Sequence, residues 1–156
     1  MKYGEITYPD VNNGEGCRVT LFVSGCSHRC KGCHNPETWN FDFGKDFNDD
    51  VKNRLFDIVS KPYIKGLTLS GGDPLDSYDD VLELVKDFRK YFGETKDIWV
   101  YTGYVIDDLL SLNKEEILDY IDVLVDGKYD EKQRDVSLPF RGSKNQRIIK
   151  LKEYYA

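Results

Sequence analysis

The chain lacks most of the features that would take it out of the class of ordinary folded domains. No apolar run approaches the ~18 residues that a membrane span needs. The opening residues Met1-Lys2-Tyr3-Gly4-Glu5 have no apolar stretch of the secretory type. A cytoplasmic location and no membrane partner are therefore expected. Positive charge is in deficit, with 22 Lys and Arg against 28 Asp and Glu for a net charge of −6. That balance argues against a general nucleic-acid binder, which normally presents a basic surface. There is no internal repeat, low-complexity segment or composition break, so one domain spanning 1–156 is expected, long enough to bury a core. Cysteine is also scarce, at four residues, but three of the four stand together.

Cys26, Cys30 and Cys33 form a C-x3-C-x2-C run at the end of the strand-like segment Val19-Thr20-Leu21-Phe22-Val23. Three thiols within eight residues leave an odd member in any disulfide scheme, whereas they can converge on one metal centre in a reducing compartment. Zinc and iron sites usually take four protein ligands, so a triplet suggests a centre with one position left for a small molecule. Cys17 is the alternative fourth ligand. If it begins the strand that Cys26 ends, roughly 30 Å separates them at ~3.3 Å per residue, and a small core residue is the expected role.

The remaining pattern alternates strand and helix. Strands are expected at 18–25, 66–70, 97–103 and 122–126, with a last one at 146–151. A helix is expected at 49–61, with Val51, Leu55, Ile58 and Val59 on one face. A second starts at Ser77, with Asp80 as a capping-box-like partner and Val81, Val85, Phe88 and Phe92 as its buried stripe. A weaker helical stretch at 106–120 should break near 111–113. Repeated β-α order implies an α/β fold with a parallel sheet and right-handed crossovers. Too few units are present for a closed eight-stranded barrel, so an open partial (βα) barrel or curved sheet is expected.

In such folds the loops after the strand C-termini share one mouth. The cysteine run, Gly71-Gly72-Asp73-Pro74, Tyr101-Thr102-Gly103-Tyr104 and Asp126-Gly127-Lys128-Tyr129 would all fall there. Alone, Gly-Gly-Asp-Pro reads as turn chemistry. At a ligand mouth the paired glycines admit close backbone approach and Asp73 offers a carboxylate to a cation. Asp126-Gly127-Lys128 reads either as a surface turn or as part of the site.

The triplet followed by Gly-Gly-Asp resembles the radical S-adenosylmethionine superfamily. Within it, five segments are similar to the activating enzymes of anaerobic ribonucleotide reductases. They are Cys17-Arg18-Val19-Thr20-Leu21-Phe22-Val23-Ser24-Gly25-Cys26, Thr68-Leu69-Ser70-Gly71-Gly72-Asp73-Pro74-Leu75, Trp99-Val100-Tyr101-Thr102-Gly103-Tyr104, Val125-Asp126-Gly127-Lys128 and Phe140-Arg141-Gly142-Ser143-Lys144-Asn145-Gln146-Arg147. The resemblance implies that Cys26, Cys30 and Cys33 hold three irons of a 4Fe–4S cluster whose fourth iron binds S-adenosylmethionine. It also implies reductive cleavage of that cofactor, giving a 5′-deoxyadenosyl radical that makes a glycyl radical on the large subunit of the reductase. A flavodoxin or ferredoxin would supply the electron, and no nucleic acid is implied.

By the same resemblance, backbone around Gly32, Cys33 and His34 contacts adenine, and Gly71, Gly72 and Asp73 hold the methionine amino end. Asp126 and Lys128 are weaker candidates for the ribose or carboxylate side, and no side chain serves as general acid or base. One departure stands out. The residue before the third cysteine is commonly aromatic in the wider superfamily and is Gly32 here, while His34 follows where the activases often carry an aromatic. His28 reads as a solvated loop residue, with metal ligation or partner contact as its alternative. Residues 141–152 carry five Lys or Arg and no acid, which reads as a closing edge strand with some residues facing the reductase. The competing readings are an activase of the pyruvate formate-lyase type and a non-catalytic zinc module completed by Cys17, His28 or His34.

Overall fold

The computed structural model describes residues 1–33 and 36–155. A single seven-stranded sheet runs in the order β3-β1-β2-β4-β5-β6-β7. Its middle is β2 (Arg18–Val23), β4 (Gly66–Gly71), β5 (Asp97–Tyr101) and β6 (Val123–Asp126), all parallel and in chain order. The parallel sheet expected from the β-α rhythm is therefore the core of a mixed one. Antiparallel strands flank it: β1 (Lys2–Asp10) and β3 (Lys45–Asp46) on one side, β7 (Arg147–Lys150) on the other. β1 escaped the sequence reading because its residues are mostly polar and half-exposed, with Gly4 and Pro9 inside it and irregular register against β2.

The register explains the two faces. Leu21, Leu69, Val100, Leu124 and Ile149 stand side by side across five strands and are all buried, so they make one apolar row. Helices α1 (Asp49–Val59) and α2 (Tyr78–Phe92) cover this face with Leu55, Ile58, Val59, Val81, Leu84, Val85 and Phe88. Neighbouring positions point the other way, where Trp99, Val123 and Val125 form a separate small cluster with Tyr101, Phe140 and Ile148. Toward the strand N-termini this second face holds Arg18, fully buried, with its guanidinium 2.7 Å from Asp97 and bonded to Thr68 Oγ1 and the carbonyls of Glu15 and Leu67. The same guanidinium lies over the Trp99 ring.

Two local expectations are corrected. Ser77 makes no side-chain cap on α2; Asp73 instead caps the short 3-10 turn Pro74–Ser77 that leads into it, and Asp80 pairs with the Met1 ammonium. α1 is capped by Asn48, whose side-chain oxygen accepts from Val51 N–H, with Asp49 and Asp50 favourably placed in its first turn. The third crossover contains no α-helix but two 3-10 turns, Ile106–Asp108 and Glu115–Asp119. The break between them includes Asn113 in a left-handed conformation, inside the expected interruption. A short helix, α3 (Leu151–Tyr154), follows β7. No helix among the described residues is long and apolar enough to cross a membrane.

Candidate functional site

The C-terminal ends of the four parallel strands deliver the site. Gly72 N–H donates to Val23 O and Asp73 N–H to Gly25 O, which stitches the loop after β4 to the loop after β2. Gly25 and Cys26 N–H donate in turn to the carbonyls of Thr38 and Trp39. The glycine pair is required by this stitching itself. Gly71 has φ +105, and a Cβ there would sit 2.4 Å from Val23 O; one on Gly72 would sit 2.5 Å from Gly25 O. Both clashes are with backbone, which cannot step aside.

Asp73 is the hub. It is 1% exposed, and one carboxylate oxygen accepts from Leu75 N–H at 2.9 Å. The other accepts from Gly103 N–H at 2.9 Å and Thr102 Oγ1 at 3.1 Å, and it lies 2.5 Å from His28 Nε2. One side chain thereby ties the loops after β4 and β5 to the cysteine loop. His28 is correspondingly buried, with a side chain 6% exposed and its ring set edge-on to Tyr104 at 4.5 Å. It is not the solvated residue that its loop suggested. Asp76 makes the second tie, accepting from Ser27 N–H and Oγ at 2.8 and 3.0 Å and from Tyr104 OH. Burial alone would raise the Asp76 value, but these hydrogen bonds and the neighbouring His28 outweigh it and hold the carboxyl below its ordinary range. Burial and the Asp76 contact push Tyr104 up to about 12.

Cys26, Cys30 and Cys33 are free, half-buried thiols lining one cavity of about 180 Å³ with Gly71, Gly72 and Asp73. Burial pushes the Cys26 thiol up to about 11; backbone N–H groups of His28 and Arg29 oppose the shift, and the carboxylates of Asp73 and Asp76 add to it. Burial and the neighbouring Cys33 raise Cys30 as well, against an N–H from Tyr129 and the charge of Lys128. A metal centre would bind these sulfurs by displacing their protons.

Among the described residues, the group whose ligand atoms do lie within 4.8 Å of one another is Cys26, His28 and Asp76. The three thiols are not such a set, so they stand wider than the roughly 3.8 Å edge of a tetrahedral zinc–thiolate site with Zn–S of about 2.3 Å. Cys17 packs against the main core at the opposite end of β2, away from the thiol loop.

Other sequence candidates fall elsewhere. Gly32, with φ +78, is exposed and faces Glu131 rather than the cysteine cavity. His34 lies outside the described residues. The Asp126 carboxylate is fully buried and occupied by Arg147 at 2.5 and 3.0 Å and by Ile106 N–H at 2.9 Å. Lys128 is exposed and lines a neighbouring cavity.

Tyr129 lines the cavity, at the mouth where the sequence pattern puts it, but sequence reasoning missed Arg141 and Gln146, which reach it from the 127–146 excursion between β6 and β7. That excursion is held by Gln146, which accepts from Gly142 and Ser143 N–H and donates to Gly127 O. Tyr101 OH adds a bond to Phe140 O at 2.6 Å. Arg141 Nη1 donates to Gln146 O, while its Nε is buried without a hydrogen-bond partner.

Residues 12–149 match the family model of the 4Fe-4S single cluster domain. A protein of Haemophilus influenzae is 46% identical over 156 residues, covering 97% of this chain and 99% of its own. One of Enterobacteria phage T4 is 46% identical over 150 residues, covering 95% and 93% respectively. One of Escherichia coli K12 is 42% identical over 156 residues, covering 97% and 100%. All three are named anaerobic ribonucleoside-triphosphate reductase-activating protein. The chain belongs to this family. Its relatives span bacteria and a bacteriophage.

Proposed function

We propose that the chain is a radical S-adenosylmethionine activase that installs a glycyl radical on the large subunit of an anaerobic ribonucleotide reductase. The observation that carries this reading is the meeting of three free thiols and the Gly71-Gly72-Asp73 turn in one cavity at the parallel strand ends. Cys26, Cys30 and Cys33 would hold a 4Fe–4S cluster, and Gly71, Gly72 and Asp73, with backbone near Gly32, Cys33 and His34, would hold S-adenosylmethionine. The donor set fits. Thiolates are the ligands that iron–sulfur clusters use, and the buried, unpartnered Arg141 Nε–H in the same cavity suits a carboxylate. Asp73 carries the opposite charge on a carboxylate already engaged by Leu75, Gly103, Thr102 and His28, so it would act on the amino end of a zwitterion through its charge.

Cluster and cofactor together supply, when bound, reductive cleavage of a carbon–sulfur bond and the radical that removes hydrogen from a glycine of the reductase. The chain's own residues orient and shelter. Asp73 and Asp76 fix the thiol loop against the loops after β4 and β5, and the 127–146 excursion adds Tyr129, Arg141 and Gln146 to the cavity wall. No side chain needs to act as general acid or base. The chain acts as one domain over 1–156, its sheet serving as a radical-S-adenosylmethionine-type partial (βα) barrel, in the cytoplasm, with a flavodoxin or ferredoxin as electron donor.

Anaerobic reconstitution followed by iron and sulfide analysis, a 5′-deoxyadenosine assay and EPR with the reductase tests the reading. A glycyl-radical doublet in the reductase supports it. Cofactor cleavage that leaves the reductase untouched would transfer the activity to another glycyl-radical partner. Stoichiometric zinc without iron would favour the Cys26, His28 and Asp76 grouping and a non-catalytic role.

A further inference from the structure

We infer that the exposed basic surface around Lys31, Lys128 and Lys132 is the docking site for an acidic one-electron carrier protein, an inference that rests on the activase reading above. The distribution of charge motivates it. The whole chain carries −6, yet residues 28–33 and 127–147 together hold eight Lys and Arg against three carboxylates, although Arg147 is paired with Asp126 and Arg141 lines the cysteine cavity. Lys31, Lys128 and Lys132 are exposed and line one surface cavity of about 740 Å³, together with Tyr129 and Asn145. Asp130 and Glu131 line the same cavity, and the bonds from Lys132 N–H and the Gln133 amide hold Asp130 ionised, so three lysines against two acids leave a local excess of one positive charge.

Position gives this patch its purpose. Lys31 lies in sequence between Cys30 and Cys33, and Tyr129 lines both the basic cavity and the cysteine cavity. Tyr129 also donates its backbone N–H to the Cys30 sulfur. The basic surface therefore abuts the thiol loop and shares Tyr129 with the cavity of Gly71, Gly72 and Asp73. An electron can be delivered to the thiol-bound centre here while the reductase glycine approaches the cavity itself. Carboxylates on the carrier would meet the lysines, and the long-range field would steer the encounter. The transfer moves one electron: the carrier is oxidised by one equivalent, the centre held by the thiols is reduced by one, and no bond is made or broken.

The test uses reconstituted protein carrying Lys132→Glu, an exposed residue of the basic cavity that lies outside the cysteine cavity. An acidic flavodoxin is the probe, its oxidised form for the dissociation constant and its hydroquinone for stopped-flow reduction of the cluster, both at low and high salt. Binding and reduction are expected to weaken roughly tenfold at low salt, with the deficit shrinking as salt screens the charges. Dithionite-driven cofactor cleavage should match the parent protein. Unchanged affinity and rate overturn the inference. Loss of reductase binding with flavodoxin binding intact also overturns it and gives the surface to the reductase. Failure of both proteins to take up iron and sulfide would instead bring down the activase reading itself.

Discussion

Asp73→Asn is the sharpest test of how the site is held. The substitution keeps shape and replaces one acceptor oxygen by an amide that can only donate. In the parent, one oxygen serves Leu75 N–H while the other serves Gly103 N–H, Thr102 and His28. Either rotamer of Asn therefore turns an N–H toward another backbone N–H in a place 1% exposed. Hydrogen bonds to a charged acceptor contribute about 1.5–3 kcal/mol, and an orphaned buried donor costs about 1–3 kcal/mol. A loss of roughly 2–4 kcal/mol is expected, a large share of the ~5–15 kcal/mol typical of a domain. At about 2–4 °C per kcal/mol for a chain of this size, Tm should fall by roughly 5–15 °C in cluster-free protein. A double-mutant cycle with Thr102→Val should show coupling of at least about 0.5 kcal/mol, because the two share one oxygen. A loss under about 1 kcal/mol with additive effects would refute the hub and leave the turn to its glycines.

Three further outcomes follow from the geometry. Alanine at Cys26, Cys30 or Cys33 should abolish cluster uptake and S-adenosylmethionine cleavage, whereas Cys17→Ala should retain both, as measured by iron content and 5′-deoxyadenosine. Gly72→Ala should destabilise by roughly 1–3 kcal/mol in urea melts, since the atoms nearest its Cβ are backbone, the oxygens of Gly25 and Thr38 at 2.5 and 2.7 Å and the carbonyl carbon of Gly25 at 2.8 Å. The Cys26 thiol is raised from 9.0 to about 11, so the folded chain keeps a proton that the unfolded chain releases; stability of cluster-free protein should be intact below pH 9 and fall as pH climbs toward 11. Urea midpoints at stepped pH should show that slope, and Cys26→Ser should lessen it.

Much of this was legible in the chain because local pattern and packing agree. The stripes Leu55, Ile58, Val59 and Val81, Val85, Phe88 are buried as their helical spacing requires, and the four parallel strands begin within a residue of where alternation with helices puts them. The thiols and the Gly-Gly-Asp turn share a cavity because strand C-termini share an end. What stayed hidden depends on distant partners. Ser77 and Asp80 have capping-box spacing, but Asp80 is taken by Met1 and the entry turn by Asp73. The burial of His28 depends on a carboxylate 45 residues away, which no local window contains. Arg141 and Gln146 reach the cavity only because a long irregular excursion folds back under its own side-chain bonds, and irregular backbone has no periodicity to read. Gly32 shows the converse: its backbone φ is unusual, as a glycine there invites, yet it faces Glu131.

The buried Arg18 at the foot of the second sheet face has a consequence for traffic. Its guanidinium, clasped by Asp97 and Thr68 and laid over Trp99, stoppers the face at the strand N-termini. Among the described residues, the cavity on this face then lies at the thiol end, where the parallel strands finish. On the activase reading, a partner protein seated over the thiol mouth would cover the cavity from the end that Arg18 does not fill, and so would be at once guest and lid.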